Sequence, residues 1–186
     1  MYIYIYIIIT GVCNDVQLVT RAQWGAIDPA ATTRLTLPVN MTFIHHTGDQ
    51  SCKTIPQCSR IIRGIQNDHM YEKRYNDIGY SFLVDDEGRV YEGRGWSTLP
   101  AHSPVYNYMS HGICIMGNFM YGEPTWKALD AVKTLIQCGV DQNMIKPDYE
   151  LFGHRDGRRT DCPGNALYDI IQTWPHYSHR DIPVIG

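Results

Sequence analysis

Residues 77–92 read DIGYSFLVDDEGRVYE and contain the clearest structural signal in the chain. Two short apolar runs, residues 79–85 and residues 89–92, lie on either side of the pair Glu87-Gly88. A glycine-containing turn between two strand-like segments is typical of a β-hairpin. We therefore predict two antiparallel strands joined by a tight turn through Glu87-Gly88.

Apolar residues on both sides of this hairpin follow the two periods that distinguish strands from helices. Further strand-like runs occupy residues 41–46, 112–117 and 149–153. Helical spacing occupies residues 57–70, the segment from Pro124 to about residue 140, and residues 165–174, after which Pro175 stops the helix. Helices interleaved with short apolar strands indicate a mixed sheet covered by helices. We predict an α/β fold, a single domain with a central mixed β-sheet flanked by about three helices.

Length and composition fit one ordinary globular domain. The chain has 186 residues, of which 44% are hydrophobic and 19% are charged, which excludes disorder, collagen and coiled coil. Sixteen Lys and Arg against nineteen Asp and Glu leave a net charge of -3, so there is no basic surplus to neutralise nucleic-acid phosphates. No run approaches the roughly 20 apolar residues of a membrane helix. We predict no nucleic-acid partner and no stable membrane insertion.

The first residues form the one compositionally biased segment. Residues 1–12 read MYIYIYIIITGV and carry no charge. This length suits the apolar core of a secretory signal, although the usual Lys or Arg before that core is missing. The alternative is a β-strand, because Tyr and Ile alternate through Tyr6, but an exposed strand this apolar would promote aggregation. We predict an atypical or partial signal peptide at residues 1–12, a domain at residues 13–186, and a secreted protein.

Six cysteines could form three disulfides with fifteen possible connectivities, but their surroundings differ. They are Cys13, Cys52, Cys58, Cys114, Cys138 and Cys162. Cys52 and Cys58 bracket the short polar loop CKTIPQC, which could close easily. Cys114 lies in the apolar run GICIMG and is typical of a buried free thiol. Cys162 lies in a loop rich in His, Asp and Gly, which favours a metal ligand, with a third disulfide to Cys114 as the alternative.

Two histidines and this cysteine form a candidate metal site. Successive strand side chains point to opposite faces, so we count only one ligand in the strand-end pair His45-His46. His154 and Cys162 lie eight positions apart in GHRDGRRTDCPG and could converge on one ion, although a solvated loop with an incidental cysteine is the alternative. Imidazole nitrogen and thiolate sulfur both suit Zn²⁺. With His45 they leave the fourth tetrahedral position for water, as catalytic zinc requires.

Tyr80 is a further candidate, at the start of the hairpin. The apolar residues Phe82 and Val84 follow at alternate positions. An aromatic residue in this setting is most often part of the core. A phenol facing a metal could instead orient water or stabilise an oxyanion, and the residues alone leave both interpretations open.

Longer motifs occur in order along nearly the whole chain, from about Cys13 to Tyr177. They include TRAQWGA, FIHHTG, CKTIPQC, NDIGYSFLVDDEGRVYEGRGW, AHSPVYN, IMGNF and GHRDGRRTDCPG. Together these motifs resemble the peptidoglycan recognition proteins. That family is similar to the phage-type zinc N-acetylmuramoyl-L-alanine amidases, and some of its members hydrolyse peptidoglycan while others only bind it.

The resemblance implies roles for individual residues. It implies zinc ligands at His45, His154 and Cys162, with catalytic positions at Tyr80 and Thr160. Members that lack a cysteine at the last ligand position are generally non-catalytic receptors. The presence of Cys162 therefore favours an enzyme with a Zn²⁺ cofactor.

The resemblance also implies a substrate groove and two disulfides. The implied binding residues for muramic acid and the stem peptide are His46, Thr47, His69, Lys73, Tyr80, His102 and Asn107. Without the resemblance, His69 is more typical of a helix residue packed on the core and His102 of a loop residue. The implied disulfides are Cys52–Cys58 and Cys13–Cys138, which leave Cys162 for zinc and Cys114 buried.

These implications predict a secreted amidase of innate immunity that cleaves the lactyl-amide bond between muramic acid and L-alanine in bacterial peptidoglycan. The alternative is a receptor that binds peptidoglycan without cleaving it. A third interpretation is a purely structural metal in an unrelated binding domain. The pair Arg74-Tyr75 stands where many diaminopimelate-preferring members carry Gly-Trp, so the resemblance leaves the stem-peptide preference open.

Overall fold

The computed structural model describes residues 12–184. Apart from Val12, the segment predicted as a signal peptide lies outside the described residues. Within residues 12–184 no helix has the length and apolar character needed to cross a membrane.

The described chain contains six strands and five α-helices. The strands are β1 (Leu18–Val19), β2 (Val39–His46), β3 (Phe82–Val84), β4 (Val90–Glu92), β5 (Ser110–Ile115) and β6 (Ile145–Gly153). The helices are α1 (Arg21–Trp24), α2 (Ile55–Asn67), α3 (Trp126–Asp141), α4 (His154–Gly157) and α5 (Asn165–Ile171). Shorter helical turns lie at Val12–Asp15, at Asp68–Glu72 (a π-helix that continues α2) and at Asn107–Met109.

The strands form one sheet in the order β1-β4-β3-β5-β2-β6. Neighbouring strands are parallel except β3 and β4, which form the antiparallel hairpin. Gly88 in the hairpin turn has a φ of 81°, a left-handed conformation that favours glycine. The prediction of a single α/β domain with a mixed sheet is confirmed, and α2, α3 and α5 are the three predicted helices.

Helices cover the two faces of the sheet with separate apolar clusters. Val132 and Ile136 of α3 pack with Leu167 of α5 on one face. On the other face, Trp24 of α1 and Ile62 of α2 pack in a second cluster, which also contains strand residues and the sulfur atoms of one disulfide. The carboxyl ends of the neighbouring parallel strands β5, β2 and β6 meet at one end of the sheet, where ligand sites of parallel sheets commonly form.

Some element boundaries differ from the sequence predictions. The strand expected from residue 79 begins only at Phe82, because the Gly79 N–H donates to His69 Nδ1 at 2.8 Å instead of joining the sheet ladder. A side chain at Gly79 would also lie 2.6 Å from the Ala101 carbonyl oxygen. Strand β1 and helices α1 and α4 were not predicted, because two to four residues are too few to show a period.

Two disulfides are formed, Cys13–Cys138 and Cys52–Cys58. Both pairings implied by the resemblance are thereby confirmed. Cys114 and Cys162 are the free cysteines of the described chain, with Cys114 fully buried. The alternative of a third disulfide between them is not realised.

Candidate metal centre

The metal centre is built from the ends of two adjacent parallel strands and the loop that follows one of them. Strands β2 and β6 pair in a register that sets Ile44 opposite Gly153. The residue that follows each of these two in the chain is a histidine, His45 within β2 and His154 at the start of α4, and their ring centroids are 4.3 Å apart. Cys162 joins them, and ligand atoms of all three residues lie within 4.8 Å of one another.

The geometry and chemistry of this trio fit a zinc ion. The distance from His45 Nδ1 to Cys162 Sγ is 3.7 Å. Zinc bond lengths of about 2.0 Å to nitrogen and 2.3 Å to sulfur in tetrahedral geometry give about 3.6 Å between two such ligands. His154 Nε2 is buried and has no hydrogen-bond partner within the described residues. A donor set of two imidazoles and one thiol favours zinc over the hard, oxygen-preferring cations.

Burial controls the protonation of the three side chains. It lowers the pKa of His45 well below its usual value and lowers that of His154 to about 4, so both rings are neutral at pH 7. Burial raises the pKa of the Cys162 thiol to about 12, while the His46 N–H, 3.3 Å from the sulfur, acts in the opposite direction. In the absence of a cation the site is therefore uncharged, and binding a metal would displace the thiol proton.

His46 points away from this centre. Its Nδ1 accepts the N–H of Phe119 at 3.3 Å, on the face of the sheet covered by α3. Burial lowers the pKa of His46 to about 4. The side chains of His45 and His46 thus lie on opposite faces, as strand alternation requires.

Asp156 fixes the start of the loop that carries His154, Thr160 and Cys162. Its Oδ2 accepts the Gly153 N–H at 2.7 Å and the Tyr177 hydroxyl at 3.2 Å, and its Oδ1 accepts the Tyr168 hydroxyl at 2.5 Å. These bonds hold α4, and with it the backbone of His154, against α5.

The far end of the same loop is closed by Thr160 and Arg155. Thr160 Oγ1 accepts the N–H of Cys162 at 3.2 Å, and the Arg155 guanidinium donates to the Asp161 carbonyl. Because Thr160 Oγ1 serves here as an acceptor, its own hydroxyl proton is left to donate elsewhere.

A groove runs beside the metal centre. One part, of about 620 Å³, is lined by His45, His69, Lys73, Tyr75, Tyr80, Ala101, His102, His154, Arg158, Arg159 and Thr160. A second part, of about 420 Å³, is lined by Thr47, Asp49, Ile61, Gly64, Ile65, Asp68, His69, Lys73 and Tyr80. The two parts share His69, Lys73 and Tyr80, so we describe them as one groove.

Tyr80 and His69 both line this groove. Burial raises the pKa of Tyr80 well above its usual value, so the phenol keeps its proton. Its ring centroid lies 5.3 Å from that of His45 and 5.6 Å from that of His69. Since His69 Nδ1 accepts the Gly79 N–H, a neutral His69 carries its proton on Nε2. Burial lowers the pKa of His69 to about 4, which keeps that ring neutral.

The structure brings most of the sequence-predicted site residues to this groove. His45, His154 and Cys162 form the metal centre, and Thr47, His69, Lys73, Tyr80, His102 and Thr160 line the adjoining space. Asn107 instead supports the loop behind it, where its Oδ1 accepts the N–H groups of His102 and Ser103. The side chain of His46 is likewise engaged elsewhere.

Several groove residues were not assigned to the site from the sequence, among them Arg158 and Arg159. In the sequence these arginines lie between the predicted ligands His154 and Cys162, so their place near the metal site could have been predicted. Tyr75, which the sequence analysis named only for the stem-peptide preference, lies beside His69 with ring centroids 5.5 Å apart, after the π-helical turn.

Comparison with known proteins gives consistent similarities. Residues 35–165 match the family model described as N-acetylmuramoyl-L-alanine amidase. Peptidoglycan recognition protein 1 of Bos indicus is 43% identical over 162 residues, covering 87% of this chain and 85% of its own length. The human N-acetylmuramoyl-L-alanine amidase is 41% identical over 162 residues, covering 85% of this chain and 28% of its own length.

The fold is also similar to solved structures. One is peptidoglycan recognition protein-LE in complex with tracheal cytotoxin, a monomeric diaminopimelic acid-type peptidoglycan. It superimposes with a TM-score of 0.86 at 40% identity, covering 87% of this chain and 96% of the other.

Proposed function

The chain belongs to the peptidoglycan recognition protein family, and we propose that it is a secreted, zinc-dependent N-acetylmuramoyl-L-alanine amidase that binds bacterial peptidoglycan in innate immunity. One observation carries the enzymatic part of this proposal. His45, His154 and Cys162 place their ligand atoms within 4.8 Å of one another, with Cys162 outside any disulfide. Three protein ligands beside an open groove are the arrangement of catalytic rather than structural zinc.

The groove is suited to a carboxylate-rich peptidoglycan stem. Arg158 and Arg159 line it and supply positive charge for stem-peptide carboxylates, while Lys73, also in the groove, is paired with Asp68 at 2.8 Å. His69 Nε2–H adds a neutral donor. The recognition protein-LE structure in complex with tracheal cytotoxin supports this assignment of ligand class.

The proposed reaction is hydrolysis of the amide between the lactyl carbonyl of muramic acid and the nitrogen of L-alanine. When bound, zinc supplies a Lewis acid that polarises a carbonyl and lowers the pKa of water. The protonated Tyr80 phenol donates a hydrogen bond where negative charge develops on the carbonyl oxygen. Thr160, whose oxygen already accepts the Cys162 N–H, lines the same groove and has its hydroxyl proton available to donate.

Two features support secretion. The uncharged apolar segment at residues 1–12 has the composition of a signal core. Two disulfides fit the oxidising environment outside the cytosol. Amino-terminal sequencing of protein from a secreting host would test the signal, and a mature chain that retained residues 1–12 would contradict it.

Digestion of polymeric peptidoglycan tests the enzymatic proposal. The full chain is incubated with diaminopimelate-type and lysine-type polymers, with and without a zinc chelator, and free L-alanine amino termini are measured. We expect free L-alanine amino termini to appear with at least one polymer and to be absent when chelator is added. The protein should still sediment with insoluble peptidoglycan in chelator. Binding to both polymers without release, by protein that contains stoichiometric zinc, would identify a non-catalytic receptor instead.

Two cysteine variants sharpen this test. Cys162→Ser should lose bound zinc and release because it removes the sulfur ligand. Cys114→Ala removes the other free thiol of the described chain and should retain one zinc per chain. Unchanged zinc content and turnover in Cys162→Ser would mean that the proposed ligand set is wrong.

A further inference from the structure

His45 is connected to a chain of buried polar groups behind the metal centre. Its Nε2 lies 2.9 Å from His102 Nδ1. His102 Nε2 lies 3.1 Å from Ser110 Oγ, and Ser110 Oγ lies 2.7 Å from the Tyr106 carbonyl oxygen. His45, His102 and Ser110 are all buried, with exposed fractions of 1%, 6% and 0%.

The last contact in this chain determines the direction of the others. A carbonyl oxygen only accepts, so Ser110 must donate its single hydroxyl proton to Tyr106. Ser110 Oγ can then only accept from His102 Nε2–H, which leaves the lone pair of a neutral His102 on Nδ1. That lone pair accepts from His45 Nε2–H, and His45 consequently keeps its own lone pair on Nδ1, the atom 3.7 Å from Cys162 Sγ.

We propose that His102 is a positioning residue, which holds His45 in the tautomer and ring orientation that present Nδ1 to the metal. The proposal rests on the proposed metal site. It adds to that site a buried series of hydrogen bonds from His102 to Ser110 and on to the Tyr106 carbonyl oxygen. Metal-bound histidines usually donate their second N–H to a carboxylate, carbonyl or water. Here a second imidazole takes that place.

The surroundings of His102 restrict its ring to this role. Both ring nitrogens are engaged, by His45 and by Ser110, so neither is left for the substrate. A β-carbon at Gly112 would lie 2.5 Å from His102 Cγ, so the absence of a side chain there provides the space for the ring. Asn107 fixes the backbone by accepting the His102 N–H at 3.0 Å. His102 therefore acts through His45, although it was first predicted to bind substrate.

Long-range ¹H–¹⁵N NMR of the zinc-free, histidine-labelled full chain tests the tautomer directly. We expect His45 and His102 to be neutral, each with its proton on Nε2 and an unprotonated Nδ1. His45 signals are assigned by their absence in His45→Gln. A His45 ring protonated on Nδ1 in the wild type would overturn the proposal, whatever the enzyme's activity.

Zinc affinity of variants, measured by competition with a chromophoric chelator, gives a second readout. His102→Leu removes the acceptor for His45 Nε2–H and should weaken zinc binding about ten- to a hundredfold, the usual effect of losing such a partner. In His102→Asn the side-chain oxygen can take the place of Nδ1, and we expect most of the affinity to return. Equal affinities in wild type and a folded His102→Leu would overturn the proposal.

Two buried serines, Ser110 and Ser103, provide a matched pair. Ser110→Ala removes the acceptor of His102 Nε2–H, and we expect a several-fold loss of zinc affinity. Ser103→Ala is the control, since the buried Ser103 hydroxyl has no hydrogen-bond partner within the described residues. Equal effects of the two substitutions on zinc affinity would contradict the proposed hydrogen-bond chain, even if His102→Leu failed to fold.

The outcomes also separate this proposal from the proposed function. A wild-type chain that binds no zinc would contradict the metal site itself. A wild-type chain that binds zinc and releases L-alanine, while His102→Leu does both equally well, would contradict only the role of His102.

Discussion

The two halves of the metal centre are held in different ways. His45 belongs to β2, which is paired along its length with β5 and β6, and the residue is almost completely buried. Thr160 and Cys162 belong to a loop, are partly exposed, and are held mainly by single side-chain bonds. The comparison teaches that sheet register places His45 and brings His154, at the start of the loop, beside it, whereas a few polar contacts place the rest of the loop with Cys162. We call His45 with the strands around it the strand-held half, and the loop from His154 to Cys162 the loop-held half. Substitutions in the strand-held half should lower stability and zinc affinity together. Substitutions in the loop-held half should lower zinc affinity with little loss of stability.

The largest effect is expected from Gly112→Ala in the strand-held half. The added methyl would lie 2.5 to 2.9 Å from three atoms of the His102 ring, so the ring or strand β5 must move. Overpacking of this kind in a core costs about 3 kcal/mol at the upper end of its usual range. We expect urea unfolding to show a loss of that size, and chelator competition to show at least a tenfold loss of zinc affinity.

Gly64→Ala is the matched control for this substitution. A β-carbon at Gly64 in α2 would have no neighbouring atom within 4 Å. Replacing a helical glycine by alanine should stabilise the fold by about 0.5 to 1 kcal/mol and leave zinc affinity unchanged. If Gly112→Ala lowered stability without lowering zinc affinity, folding and metal binding would not be coupled in the strand-held half.

The difference between the halves also explains what could be predicted from the sequence. The strand that carries His45 was predicted because apolar residues and β-propensity are local properties, and strand alternation separated His45 from His46. The hairpin was predicted from its turn residues. His154 and Cys162 were recognised as possible ligands from residue type, but their convergence depends on the pairing of β2 with β6, which no local pattern encodes.

Contacts between distant side chains were the least predictable part. His102 packs against Gly112 of β5 and meets His45 because β5 runs beside β2, and no spacing in the sequence signals that the two rings touch. The motif resemblance placed His102 in the groove without indicating that both its nitrogens are occupied. Asn107 was likewise assigned to substrate, whereas its oxygen is used by two backbone N–H groups.

A second, smaller loss of stability is expected in acid, caused by a buried histidine in β5, the strand beside β2. His111 in β5 is fully buried, with Nδ1 3.3 Å from Ser81 Oγ and its ring 5.0 Å from that of Trp96. Burial lowers its pKa to about 4, below the value of about 6.5 in an unfolded chain. The unfolded state therefore binds more protons, and the stabilisation is full above pH 6.5 and is lost as pH falls towards 4.

His111→Leu measures this contribution. For the two pKa values above, linkage predicts that His111 accounts for about 2 kcal/mol of the stability lost between pH 7.5 and pH 5. Urea unfolding of both proteins, in chelator, should show that the variant loses about 2 kcal/mol less stability than the wild type between pH 7.5 and pH 5. Other buried histidines titrate in both proteins, so parallel pH dependences would mean that acid does not act on the sheet through His111.

The smallest change in stability is expected in the loop-held half, from Asp156→Asn. The amide keeps one oxygen to accept the Gly153 N–H, and its NH₂ can donate to Tyr168 or Tyr177, so unfolding should lose only about 1 kcal/mol. Zinc affinity should nevertheless fall several-fold, because His154 directly follows Gly153. Asp169→Asn, which removes an exposed charge next to Tyr168, should change neither quantity. The loss of zinc affinity and the loss of stability can be compared once both are expressed as free energies. If the loss of zinc-binding free energy is no larger than the loss of unfolding free energy, the loop, like the strand, positions its ligand through the fold as a whole.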